Sequence, residues 1–182
     1  DIPGHNNCGP IIADDPILAE KIVSYVGQPI FAVIAESRIH ARQAARQAKV
    51  DYRRLPALLD PREAEMQGKL VILPMARKRG DAATAIAAAP RKLTGQFQVG
   101  GQEQFYLEGQ ISYALPVESN GLHVYCSTQH PSEMQHLVAH ALSVPANHIK
   151  VETRRMGGGF GGKESQSAQF ACIAAIASHR LK

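Results

Sequence analysis

Arg154-Arg155-Met156-Gly157-Gly158-Gly159-Phe160-Gly161-Gly162-Lys163-Glu164 is the stretch on which the reading of this 182-residue chain turns. Five glycines stand in the six positions 157–162, a run that is entropically unfavourable to order. Such a run is expected where a ligand approaches the backbone so closely that N–H groups, not side chains, make the contacts. Upstream, Ile149, Val151 and Thr153 alternate with polar residues and predict a strand over 148–154. Downstream, Ala168, Cys172, Ala175 and Ile176 predict a helix over 165–181 with one apolar face. The loop thus precedes a helix start, where unsatisfied amide donors favour an anion. Three readings remain open on these residues. Gly157, Gly159 and Gly162 form GxGxxG, as in a dinucleotide fold, but the acidic ribose partner expected about 20 residues on would fall at or beyond the last residue. Gly157 to Lys163 match GxxxxGK, the start of a phosphate-binding loop. There Glu164 stands where Ser or Thr should bind magnesium, and its carboxylate would repel phosphate. The third reading is a flexible tight turn.

Outward from the loop, 104–107, 111–115 and 122–126 read as three strands. Pro131 suits the first turn of a helix over 131–142, whose Met134, Leu137, Val138 and Ala141 recur at helical spacing. Near the other end, Pro29-Ile30-Phe31-Ala32-Val33-Ile34-Ala35 is a short apolar run that predicts a buried strand. The Ala-, Arg- and Gln-rich 36–49 predicts a helix, with Ile39, Ala41, Ala45 and Ala48 near one face, and 50–53 a second strand stopped by Pro56. Asp81 is placed to cap a short helix reaching Ala89. No internal repeat is present. These elements make an α+β chain. Residues 1–66 are expected to form a first domain part, 67–93 a connection and 94–182 a second.

Composition narrows the class. A charged fraction of 20% with 45% hydrophobic residues is that of a globular chain. No stretch approaches the roughly 20 apolar residues that span a bilayer, so no membrane partner is expected. The net charge of +4 resides in Arg38, Arg42 and Arg46, in Arg53-Arg54 and in Arg77-Lys78-Arg79. Only Tyr52, beside Arg53, flanks these clusters and no aromatics are interleaved with them, so they read as solvated faces and not as a nucleic-acid surface. Cys8, Cys126 and Cys172 are far apart and lack CxxC spacing. Neither a zinc ribbon nor an iron–sulfur cluster is expected, and the pattern suits a reducing compartment, the cytoplasm. His136 and His140 have the i, i+4 spacing of a zinc helix, but Leu137 stands where the catalytic Glu would be. Ser127, His130 and Glu133 have the residue types of a hydrolytic triad but are too close in sequence for its geometry. Neither end looks natural: the chain opens on Asp1-Ile2-Pro3 without Met, and an apolar helical run closes at Lys182.

The loop, together with two further segments in the same order, resembles the xanthine dehydrogenase/aldehyde oxidase family of molybdenum hydroxylases. Gly100-Gly101-Gln102-Glu103-Gln104-Phe105-Tyr106-Leu107-Glu108 is similar to that family's GGQEHFYLE stretch, with Gln104 in place of His. Ser127-Thr128-Gln129-His130-Pro131-Ser132-Glu133 is similar to its STQ segment at a helix start. Val26-Gly27-Gln28-Pro29 and the helix after it resemble the α/β-hammerhead domain that precedes the molybdenum domain. The implied fold is a partial hammerhead followed by the opening part of a molybdopterin-binding domain.

The resemblance implies hydroxylation of hypoxanthine and xanthine to urate, a step of purine catabolism, with water as the oxygen source. It implies molybdenum held by molybdopterin, with no protein side chain coordinating the metal. The complete enzyme would add [2Fe-2S], FAD and NAD, on another domain or a separate iron–sulfur/FAD subunit, and would be an oligomer. Residue by residue, Gln129 matches the glutamine that hydrogen-bonds a molybdenum oxygen; its amide donates without adding charge. Gly159, Phe160, Gly161 and Gly162 match the residues packed against the cofactor. Glu164 matches the carboxylate that holds the purine, where aldehyde-oxidising relatives carry an apolar residue. On the residues alone, Glu164 reads equally as a carboxylate at a helix N-terminus. The family's general base, a glutamate, and its substrate-clamping arginine have no counterpart in this segment, so the chain by itself is expected to be inactive and to bind cofactor weakly. Two alternatives stand beside this reading: hydroxylation of an aldehyde or another N-heterocycle within the same family, and a nucleotide-binding module built on the glycine loop.

Overall fold

The computed structural model describes residues 1–182. Three short helices begin where the sequence supplies a cap. Ser37 Oγ accepts the His40 N–H at 3.2 Å and starts α1 (Arg38–Gln47). Asp60 accepts from Arg62 and Glu63 at the head of α2 (Pro61–Met66), with Pro61 in the first turn. Asp81 accepts the Thr84 N–H at the start of α3 (Ala82–Ala88), as its position predicts. Each carboxylate or hydroxyl satisfies an N–H that would otherwise have no partner in the helix.

None of these helices buries a residue. Lys49–Gly101, with α2 and α3, is one compact unit; Asp1–Ala48 and Gln102–Lys182 together form another. The strands predicted at 29–35 and 50–53 do not form, and Phe31 and Ile34 are 42% and 53% exposed. An apolar run becomes a strand only when its backbone groups find a ladder, and apart from one bond, from the Ala19 N–H to the Pro29 carbonyl at 2.8 Å, neither stretch finds one. The expected strand–helix–strand unit reduces to α1, whose Arg38, Arg42 and Arg46 face solvent. No helix is long and apolar enough to cross a membrane.

In the unit formed by the two ends of the chain, a small sheet carries the core. β1 (Ser112–Val117) and β2 (Gly121–Cys126) pair antiparallel, Ser112 opposite Cys126 and Val117 opposite Gly121. Ser119 and Asn120 turn the hairpin with φ of 58° and 59°, and the Gly121 N–H closes it on the Glu118 carbonyl. Two successive left-handed residues give a hairpin turn whose twist matches that of the strands. β2 feeds α4 (Pro131–Leu142), which returns through a 3-10 turn at Ala146–His148 to β3 (Ile149–Glu152), parallel to β2. After the glycine run comes α5 (Ala168–Leu181), packed on α4, β1 and β2. Leu122, Val124 and Cys126 alternate inward along β2 and meet Met134, Val138 and Leu142 of α4 and Ala168, Ala171, Cys172 and Ala175 of α5. The small residues of α5 let it lie close to the sheet. Residues 104–107, predicted as a strand, join no sheet and run along the glycine loop.

The N-terminal segment finishes this core. Gly4 and His5 donate N–H bonds to the Ala141 and His140 carbonyls at 2.9 and 3.0 Å, satisfying the end of α4. Asn6 bonds both the N–H and the carbonyl of Leu18, which brings Ile17 into the interior, and Cys8 is wholly buried.

Candidate functional site

The three segments singled out in the sequence converge. Gln104, Tyr106 and Glu108 lie against the glycine run, and the segment after β2 presents Gln129 to it. Gln129 Oε1 accepts the N–H groups of Gly161 at 3.0 Å and Lys163 at 3.3 Å, while its own N–H donates to the Lys163 carbonyl at 2.8 Å. Two amide donors on the oxygen decide which way the side-chain amide faces. Its Nε2 bonds to no protein group and is left as a neutral donor.

Packing within the chain accounts for Gly157, Gly159 and Gly162 more directly than ligand approach does, while Gly161 has nothing within 4 Å of an added Cβ and sits at φ 87°. A Cβ on Gly159 would sit 2.6 Å from Gln129 Oε1, and one on Gly157 would sit 2.5 Å from Glu108 Cβ. Much of the amide supply is also used internally: Gly157 donates to Glu108, Gly161 and Lys163 to Gln129, and Gly162 to the Gly159 carbonyl. Phe160, at φ 51°, is a non-glycine residue in the left-handed region, where a bulky side chain is uncommon. Its ring lies beside Gly158 and is 75% exposed.

Beneath the loop lies a buried charge that the sequence reading did not find. Lys163 has no solvent exposure, and its Nζ meets Glu108 Oε2 at 3.0 Å and Ser127 Oγ at 2.8 Å, with the Tyr106 ring centroid 4.7 Å away. Glu108 Oε2 also accepts from Ser127 Oγ at 2.6 Å and from the Gly157 N–H at 2.8 Å. The Ser127 hydroxyl foremost, then the Gly157 amide and the Lys163 ammonium, hold the Glu108 carboxyl down at about 2. Gln110 Nε2 adds bonds to Tyr106 Oη and the Gly162 carbonyl. Glu108 and Lys163 are 55 positions apart. The only hint in the sequence was that each lay inside a segment already singled out.

Lys163 therefore cannot serve as the lysine of a phosphate-binding loop, because its ammonium is sealed under the chain and paired. Glu164 follows it on the surface. Its N–H donates to Gln166 Oε1, its carbonyl accepts from Thr128 Oγ1, and its carboxylate has no protein partner. The first turn of α5 holds no acidic residue, so Glu164 is not the helix N-terminal carboxylate of the alternative reading. Gln129, Gly159, Phe160, Gly161, Gly162 and Glu164 share one loop system. Two cavities, of about 300 and 270 Å3, lie at β1 and the end of α5 and include none of these residues. The site is an open face with its polar groups displayed, which suits a cofactor enclosed partly by other chain segments.

Comparison with known proteins gives the family. Residues 65–182 match the molybdopterin cofactor-binding domain, and residues 1–56 match the aldehyde oxidase and xanthine dehydrogenase a/b hammerhead domain. The chain is 39% identical over 188 residues to a xanthine dehydrogenase of Oryza sativa subsp. japonica, and 37% identical over 182 residues to one of Dictyostelium discoideum. Each alignment covers 100% of this chain but only 14% and 13% of those relatives, respectively. The crystal structure of quinoline 2-oxidoreductase from Pseudomonas putida 86 superposes with a TM-score of 0.74 at 25% identity, covering 90% of this chain and 22% of that one. With matches that together span most of its length, this chain belongs to the aldehyde oxidase and xanthine dehydrogenase family, and its larger part is a molybdopterin cofactor-binding domain.

Proposed function

We propose that the enzyme containing this chain hydroxylates hypoxanthine and xanthine to urate, with Gln129, Gly159, Phe160, Gly161 and Gly162 facing the cofactor and Glu164 facing the purine. The observation that carries this reading is the fixed amide of Gln129: its oxygen is held by two backbone N–H groups and its Nε2 is the free donor, beside a loop that displays an unpaired carboxylate. The molybdenum–molybdopterin group, when bound, supplies the two-electron oxidation, with water as the source of the oxygen. Gln129 Nε2 would donate a hydrogen bond to an oxygen of that group without adding charge. Phe160, held in its left-handed conformation, would lay its exposed ring over the site and exclude water. Glu164 would accept ring N–H groups of the purine, in bonds that strengthen as charge moves around the ring. The electrons would leave through [2Fe-2S] and FAD centres on another domain or subunit, with NAD as acceptor, in a cytoplasmic oligomer.

A second reading is favoured by the likeness to quinoline 2-oxidoreductase, whose name points to a different N-heterocycle. One experiment separates the two. In the full-length enzyme, Glu164→Val should lower kcat/KM for xanthine by about 10- to 150-fold, the worth of a charge-assisted bond of roughly 1.5–3 kcal/mol. Turnover of a small aromatic aldehyde, which has no ring N–H donors, should fall much less. Equal losses at equal molybdenum content would mean that Glu164 supports the loop and does not bind purine.

A further inference from the structure

The buried ammonium of Lys163 has no part in the reading above. A lysine with no exposed surface is costly to desolvate, and stability alone does not call for one, since well-packed apolar residues commonly replace buried ion pairs without loss. What the pair can add is a single geometry. Lys163 holds Gln129 at two points and its neighbour at a third: its N–H donates to Gln129 Oε1, its carbonyl accepts the Gln129 N–H, and that same carbonyl accepts the hydroxyl of Thr128. Its side chain is gripped in turn by Glu108 and by Ser127, two residues before Gln129. Glu108 also draws in Gly157 at the far end of the glycine run. Both strands of chain that meet at the Gln129 amide are thus tied to one buried charge.

We infer that Lys163 is a positioning residue for Gln129: the Lys163–Glu108–Ser127 cluster fixes the peptide that holds the Gln129 carbonyl, and so aims Gln129 Nε2 outward. This rests on the role proposed for Gln129. Without the clamp, the peptide at 163 can move, Oε1 loses one of its two donors, and the amide can turn over and present an acceptor.

The test is a double-mutant cycle in the full-length holoenzyme, with xanthine as substrate. It is read as kcat and KM separately, with molybdenum and released pterin measured per protein. Gln129→Ala should lower kcat about 100-fold, the scale reported for removing one preorganised donor. Lys163→Met, which keeps length and apolar bulk, should lower kcat 10- to 100-fold and change KM less than twofold. Lys163→Met combined with Gln129→Ala should fall no further than Gln129→Ala alone, because both act through one amide. Should Lys163→Met fail to fold or to load cofactor, Ser127→Ala serves in its place. It removes one contact of the cluster, and its three- to tenfold loss should likewise disappear in the Gln129→Ala background. Losses that multiply, or wild-type kcat in the Lys163 and Ser127 variants, overturn the positioning role while leaving Gln129 in place. A silent Gln129→Ala would instead overturn the site reading itself.

Discussion

Adding one methyl group at Gly159 should disable the site without removing any polar atom. The Cβ of an alanine there would lie 2.6 Å from Gln129 Oε1, 2.7 Å from its Cδ and 2.9 Å from its Cγ. Ordinary contact begins near 3.4 Å, so either Gln129 or the loop must retreat by about 0.8 Å. The retreat stretches the bonds from Gly161 and Lys163, at 3.0 and 3.3 Å, beyond useful length. A displacement of about 1 Å at a group that meets the reacting centre is on the scale that costs roughly 100-fold in rate. Gly159→Ala in the full-length enzyme should therefore lower kcat for xanthine by about 100-fold. Steady-state kinetics, normalised to molybdenum content, measures this. Gly109→Ala is the control, because nothing lies within 4 Å of its added Cβ. If Gly159→Ala keeps kcat within threefold of wild type at full molybdenum content, then close contact with Gln129 is not what this glycine is for.

Other consequences are independent of the chemistry. The Glu108 carboxyl, held at about 2 against an ordinary 4.5, contributes stability that is complete above about pH 4.5 and is lost as pH falls toward 2. Melting curves of wild type and Glu108→Gln should therefore converge over that range, and a constant gap would refute the linkage. Ser143 ends α4 at φ 56° and ψ 44°, so Ser143→Gly should raise the melting temperature, by relief of about 1 kcal/mol of left-handed strain. Gly4→Ala should destabilise by roughly 1–3 kcal/mol, because its Cβ collides with the His140 carbonyl at the end of α4; an unchanged denaturation midpoint would contradict that.

The elements legible in the sequence were those written in local terms. The span of α4 from Pro131 to Leu142 follows from a first-turn proline and one apolar stripe. Asp81 announced α3 because a cap acts over three residues. The strands β1 and β2 match the runs read as strands at 111–115 and 122–126, and β3 follows from the alternation of Ile149, Val151 and Thr153; the pairing of β1 with β2 was not read from the sequence. The strands expected at 29–35, 50–53 and 104–107 did not form, although 29–35 is at least as apolar as β2. Whether such a run becomes a strand depends on a partner elsewhere, and pattern carries no information about partners.

By itself the sequence determined the α+β class, the family resemblance and the segment in which each site residue lies, since composition, period and motif order are properties of the string. Only the tertiary structure decided what those residues do to one another. It brought Ser127 to Lys163 across 36 positions and Glu108 to the same ammonium across 55. It turned the Gln129 amide so that its oxygen faces the loop, and it gave the glycine run its steric reason. Contacts of that kind arise when loops close and bury a charge that must then be paired, and the identity of the pair is settled by which groups the packed core brings within hydrogen-bond reach.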